Sequence, residues 1–144
     1  MRLTMKITGV DDVISDFKKF GREGKNTVKD ITKIKARDIE RDAKSLAPFK
    51  FGKLRQGIKA EQITPLTWDI VAHEIYSPYI EYGTGSKVSV PLGLEDYAMQ
   101  FKGKGIRDVS IPPQPFLYPA WKRSGRQYIK DLNEQLERLS KKYG

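Results

Sequence analysis

Cysteine is absent from the 144 residues, which excludes disulfides and thiolate chemistry and fits a reducing compartment. Histidine occurs once, at position 73, so nitrogen ligands for a zinc ion are in thin supply. No apolar run approaches about 18 residues and no signal peptide opens the chain, so the expectation is a protein made and kept soluble inside a cell, with no membrane partner. There is no internal repeat and no low-complexity tail. The Gly-Lys-Ser/Thr triplet of a phosphate-binding loop is also missing. Gly83-Thr84-Gly85-Ser86-Lys87 reads instead as a turn with unusual backbone angles after a short helix. Hydrophobic residues make up only 38% and charged residues as much as 31%, a balance that suits a small domain with extensive surface or one that completes its core by oligomerising.

Positive charge is what the chain has in excess. Lysine and arginine number 27 against 18 acidic residues, a net charge of +9. That permits contact with nucleic acid, an anionic surface or an acidic neighbour, and selects none of them. The length predicts one domain over residues 1–144, able to bury roughly two-thirds of its unfolded surface.

Periodicity predicts the elements. Leu3, Met5 and Ile7 alternate with Thr4, Lys6 and Thr8, the pattern of a half-buried strand. Gly9 ends it, and Asp11 or Asp12 is placed to cap a helix carrying Val13, Ile14, Phe17 and Phe20. Gly21 and Gly24 predict a break. From Val28 the helical period runs through Ile31, Ile34, Ile39, Ala43 and Leu46, about five turns, until Pro48 stops it. Phe49 to Gly57 reads as a basic loop. Ile58 to Ile63 and the alternation Leu66, Trp68, Ile70, Ala72 predict a hairpin turning at Thr64-Pro65. Ser77 as N-cap, Pro78 at the first position and Gly83 at the end predict a miniature helix. A long flexible loop is expected at about 86–111, with a short helix at Leu94 to Phe101 inside it. Ile129, Leu132, Leu136, Leu139 and Tyr143 predict a final helix. Its two heptads are too few for a coiled coil, which wants three or four, so it is expected to pack on a sheet or a neighbouring subunit. The predicted fold is α+β: a small, mostly antiparallel sheet packed by a long N-terminal helix and a C-terminal helix.

Catalytic constellations are hard to assemble from these residues. His73 and Glu74 point to opposite faces of a strand, and Asp69 and Glu74, five apart, do likewise. No acid-x-Lys pair follows to complete a magnesium-dependent nuclease core with Asp69, Glu74 and Glu81. The plain reading of His73 is a strand residue on the polar face. No catalytic, cofactor-binding or metal-binding residue is expected, and no small-molecule substrate. Among the basic residues, Arg37, Arg41 and Lys44 share a helix face with Lys33 and Lys35 nearby, but Asp38, Glu40 and Asp42 are interleaved. That lowers the potential a phosphate backbone would feel. Lys102, Lys104 and Arg107, flanked by glycines, are the better candidates for an anionic partner; Lys122, Arg123 and Arg126 form a third group.

Two segments stand apart. Ser77-Pro78-Tyr79-Ile80-Glu81-Tyr82-Gly83-Thr84-Gly85 and Pro112-Pro113-Gln114-Pro115-Phe116-Leu117-Tyr118-Pro119-Ala120-Trp121 are dense in aromatics, proline and glycine. Their aromatics suit stacking on bases and suit equally well the anchoring of a protein interface. Preceded by Tyr76, the first resembles an aromatic-x-Pro-Tyr-hydrophobic-Glu-aromatic-Gly-Thr-Gly signature, and the second a Pro-x-Gln-Pro-Phe-Leu-x-Pro-Ala signature. Upstream, Ala43-Lys44-Ser45-Leu46-Ala47-Pro48 with Gly52-Lys53-Leu54-Arg55 is similar to an Ala-Lys-x-x-Ala-Pro…Thr-Gly-x-Leu-Arg stretch, with Phe51 where threonine is usual. All three blocks, in this order, resemble the gene-product-ten-like family named after phage HK97, over roughly residues 10–140. The resemblance implies a structural protein of a long-tailed phage or prophage, made in the host bacterial cytoplasm and located in the virion. It implies a homo-oligomeric ring at the neck that meets head-closure, tail-terminator or tail-tube proteins, and no catalysis. Tyr79, Tyr82, Phe116 and Trp121 are expected to divide between core and subunit interface, with Phe116 and Leu117 in the core. Tyr79, Tyr82, Tyr118 and Trp121 are the candidate interface residues. Lys102, Lys104 and Arg107 are expected to face another component or DNA in the channel. Glu81 is expected to be held by a basic residue or by backbone amides near Gly83. The alternative is a sequence-independent nucleic-acid-binding protein.

Overall fold

Alternating apolar residues make three strands: β1 (Leu3–Thr8), β2 (Ile58–Thr64) and β3 (Thr67–Ala72). In the computed structural model, which describes residues 3–8, 11–49, 52–84, 88–99 and 111–143, they form one antiparallel sheet in the order β1-β3-β2. Leu3 and Ile58 both stand opposite Ala72, and the β2–β3 register shifts between Gln62 and Thr64 beside the turn. Leu3, Met5, Ile58, Trp68, Ile70 and Ala72 face a core completed by helices. Sheet and helices together give the α+β architecture expected, with the two long helices on the sheet.

The helices begin and end where backbone chemistry requires. Helix α1 (Asp11–Lys18) gives way to α2 (Gly21–Leu46) through Gly21, whose φ of 61° only glycine adopts freely. The break was expected here, yet α2 starts seven residues earlier than the Val28 onset that hydrophobic periodicity suggests. Gly24 lies inside it because α1 passes so close: a Cβ there would sit 2.1 Å from the Phe17 carbonyl oxygen. At its other end, Ala47 is extended (ψ 138°), as the ring of Pro48 demands of its predecessor. The expected loop at Phe49 to Gly57 holds a short helix, α3 (Gly52–Gln56), whose Leu54 is fully buried. One apolar side chain in five residues gives no period to read.

Three further helices follow. Helix α4 (Ser77–Tyr82) has Tyr76, not Ser77, at its N-cap, with no side-chain capping bond; Ser77 is the first helical residue and fully buried. Gly83 ends it at φ 80°. Helix α5 (Glu95–Met99) falls inside the expected short helix. Helix α6 (Leu117–Tyr143) runs antiparallel to α2, as Thr32 meets Tyr128 and Glu23 meets Lys142. Its buried stripe is Leu117, Ala120, Ser124, Tyr128, Leu132 and Leu139, whereas Ile129 and Tyr143 are 46% and 58% exposed. The apolar pattern placed Leu132, Leu136 and Leu139 correctly on the core but missed the N-terminal half, which is built largely from small and polar side chains. Each fully buried leucine or isoleucine of this layer, such as Ile39 or Leu132, stabilises the fold by about 1.5–3 kcal/mol relative to its exposed state.

Candidate functional site

Proline at positions 112, 113 and 115 keeps the chain extended up to Phe116, the residue before α6. Phe116, at the N-cap, offers no side-chain oxygen, so the free amides of the first turn need a cap from elsewhere. Glu81 supplies it from α4. Its Oε2 accepts from the N–H of Phe116 (2.8 Å) and Leu117 (3.0 Å), and its Oε1 from that of Tyr118 (2.8 Å). The side chain is only 2% exposed. Burial pushes the carboxyl above its ordinary 4.5, and the three amide bonds oppose that shift without cancelling it. The positive end of the helix dipole is aimed at the same group. Amides, not a basic residue, therefore hold Glu81, and they come from the start of α6 rather than from around Gly83.

Main-chain bonds extend the junction. Gln114 N–H donates to Ile80 O (2.8 Å), Thr84 N–H to Ile111 O (2.9 Å), and Ile111 N–H returns to Thr84 Oγ1 (2.9 Å). The two signature segments are thus one unit, with Phe116 and Leu117 fully buried beneath it. Tyr82 is packed in the core at 4% exposure, while Tyr79, Tyr118 and Trp121 are half-buried around the core's rim. Tyr118 and Trp121 are neighbours, ring centroids 6.1 Å apart, and Lys122 Nζ lies 5.8 Å from the Tyr118 ring. Trp121 Nε1 donates to Lys6 O (2.8 Å), tying the aromatic rim to the outer edge of β1. Lys122, Arg123 and Arg126 are exposed beside it. Lys102, Lys104 and Arg107 lie outside the described residues.

The groups weighed for chemistry are dispersed. His73 follows the last residue of β3, and its Nε2 pairs with Glu61 Oε1 at 2.6 Å. Asp69 pairs with Lys6 at 3.3 Å. No cluster of three histidine or acidic side chains suited to a metal occurs among the described residues. On α2, Arg37 meets Glu40, Arg41 meets Asp38 and Asp42, and Lys44 meets Glu40, so the interleaved acids partner that cationic face. Lys35 is 8% exposed and bridges to Asp38 and, at 2.6 Å, to Asp131 of α6.

The arrangement fixes a helix and presents a surface; it brings no nucleophile, base or ligand set together among the described residues. A family model described as "Bacteriophage HK97-gp10, putative tail-component" matches residues 11–83, from α1 to the glycine that ends α4. No curated protein and no solved structure matches the chain. The match spans half of the 144 residues and takes in Glu81 and the first signature as far as Gly83. The chain belongs to this family of phage tail components.

Proposed function

We propose that the chain is a structural virion protein forming a homo-oligomeric ring at the neck, where it joins or completes the tail at the head connector. The observation that carries this reading is the Glu81 junction. Two signature segments use their prolines, Gly83 and a buried carboxylate to hold the start of α6 rigid, and leave Tyr79, Tyr118 and Trp121 half-buried around it. Rigid aromatic side chains on a fixed backbone anchor protein contacts at low entropic cost. Ring subunits make such contacts heterologously, with different patches on their two sides. Head-closure, tail-terminator and tail-tube proteins are the neighbours this position implies, with the virion as its location and non-specific contact with channel DNA as an accessory. Tail-component membership supports a structural role rather than catalysis. Cryo-electron microscopy of lysates from a phage lacking the gene tests the reading. Filled heads separated from finished tails are the expected result; intact, infectious virions would overturn it and turn attention to salt-dependent DNA binding.

A further inference from the structure

The two flanks of α2 carry opposite, unsatisfied charge. Arg22, Lys25, Lys29 and Lys33 recur at steps of three and four along one flank; three are exposed and Lys29 half-exposed. None has an ion-pair partner among the described residues, in contrast to Arg37, Arg41 and Lys44 farther along. On the other flank, α2 and α6 enclose an open groove of about 310 Å³ lined by Thr27, Asp30, Ile31, Asp131, Glu134 and Gln135. Lys35 occupies Asp131, while Asp30 and Glu134 are exposed and without an ion-pair partner among the described residues. In a chain of net charge +9, a groove rimmed by free carboxylates is a local reversal of sign.

Helical geometry relates the two surfaces. At about 100° per residue the basic row and the groove's lining on α2 (Thr27, Asp30, Ile31) centre roughly 150° apart around α2, with Asp30 on the solvent-facing rim between them, and within roughly 3 Å of the same height along its axis. One surface is therefore complementary to the other, but neither to itself. That is the requirement for a heterologous contact. With so small a displacement along α2, repetition by rotation about an axis near-parallel to this helix gives a ring where the rotation divides the full turn, instead of climbing steeply into a filament. We propose that the occupant of the Asp30/Glu134 groove is a second copy of this chain, entering with the Arg22, Lys25, Lys29 and Lys33 flank of its α2. The inference rests on the ring reading above and names the surfaces that build it. Exposed ion pairs are individually weak and screened by salt, so this contact steers subunits into register and needs the other neck components to become permanent.

Charge reversal in the phage tests it. Lys25→Glu with Lys29→Glu, and separately Asp30→Lys with Glu134→Lys, each place like charges across the contact and are expected to cut finished, infectious particles roughly tenfold or more. All four substitutions in one chain restore opposite signs and are expected to recover the yield. Failure of the fourfold variant to recover, with a thermal melt as cooperative as wild type, overturns the contact. So does a silent groove reversal beside a damaging flank reversal, which would assign the flank to phosphate instead. The absence of native cysteine allows a second measurement. Lys29→Cys with Glu134→Cys in one chain is expected to give a ladder of disulfide-linked copies from finished tails. Tails that contain the chain only as uncross-linked monomer overturn this contact and leave the ring standing; finished tails that lack the chain overturn the ring reading itself.

Discussion

Three amide hydrogens converge on one buried carboxylate at Glu81, and their removal has separable consequences. Glu81→Ala leaves all three donors without an acceptor in a dry site, at a cost of about 3 kcal/mol or more. Glu81→Gln keeps one oxygen but turns an N–H₂ group towards another donor, for about 1–3 kcal/mol. Urea titration of the two variants checks both figures. The pH dependence has a definite sign. The folded protein holds the Glu81 proton to higher pH than the unfolded chain, because burial disfavours the charged form. Its contribution is fully present below the ordinary value of 4.5 and is lost as pH rises through the folded value. Stability followed from roughly pH 4 to pH 8 should carry this downward component in the wild type and lack it in Glu81→Gln.

At the scale of elements, α2 and α6 are joined by polar contacts at three heights. Thr32 Oγ1 donates to Val28 O (2.7 Å), which leaves the Tyr128 hydroxyl, 2.8 Å away, as the donor to Thr32. Tyr128→Phe removes that donor and should lower stability by about 1 kcal/mol, read as a shifted urea midpoint at unchanged slope. Lys35 and Gln127 hold Asp131 below the ordinary carboxylate range even though burial alone would raise it. At the far end, exposed Glu23 accepts from Tyr143 Oη and from Lys142 Nζ, and these bonds lower its pKa. A lowered carboxylate contributes above its ordinary value and loses that contribution as pH falls through the folded one. Glu23→Gln should therefore speed amide hydrogen exchange in the last turn of α6 at neutral pH, with little change at the Glu81 end. The Lys142 and Tyr143 pairing was not legible beforehand, because α2 and α6 are far apart in sequence. Nor was the start of α6, since Phe116 and Leu117 carry no local capping residue and the cap comes from α4. Phe at the N-cap position 116, where Ser, Thr, Asp or Asn would supply an oxygen, was the one signal that a distant acceptor was needed.

For the whole molecule, the consequence of a charged, half-apolar surface is assembly that responds to ionic strength. Raising salt from about 0.05 to 0.5 M shortens the screening length severalfold. Self-association measured by sedimentation should weaken over that range if the α2 flank enters the groove, whereas a contact made chiefly by Tyr79, Tyr118 and Trp121 should hold or tighten. Membership of the tail-component family comes from linear order: the blocks around Ala43–Pro48 and Ser77–Gly83 lie within the match to residues 11–83. The strands and their hairpin were equally legible, because a period of two survives in any half-buried strand. What the chain alone could not show was convergence. Burial of Glu81 against the start of α6, the phase of the α6 stripe through Ser124 and Tyr128, and the division of charge between the flanks of α2 all depend on which surfaces meet. Local pattern determines which face of an element is apolar; the partner's amides, carbonyls and charges, supplied from as many as 120 residues away in the Glu23–Tyr143 contact, decide what that face does.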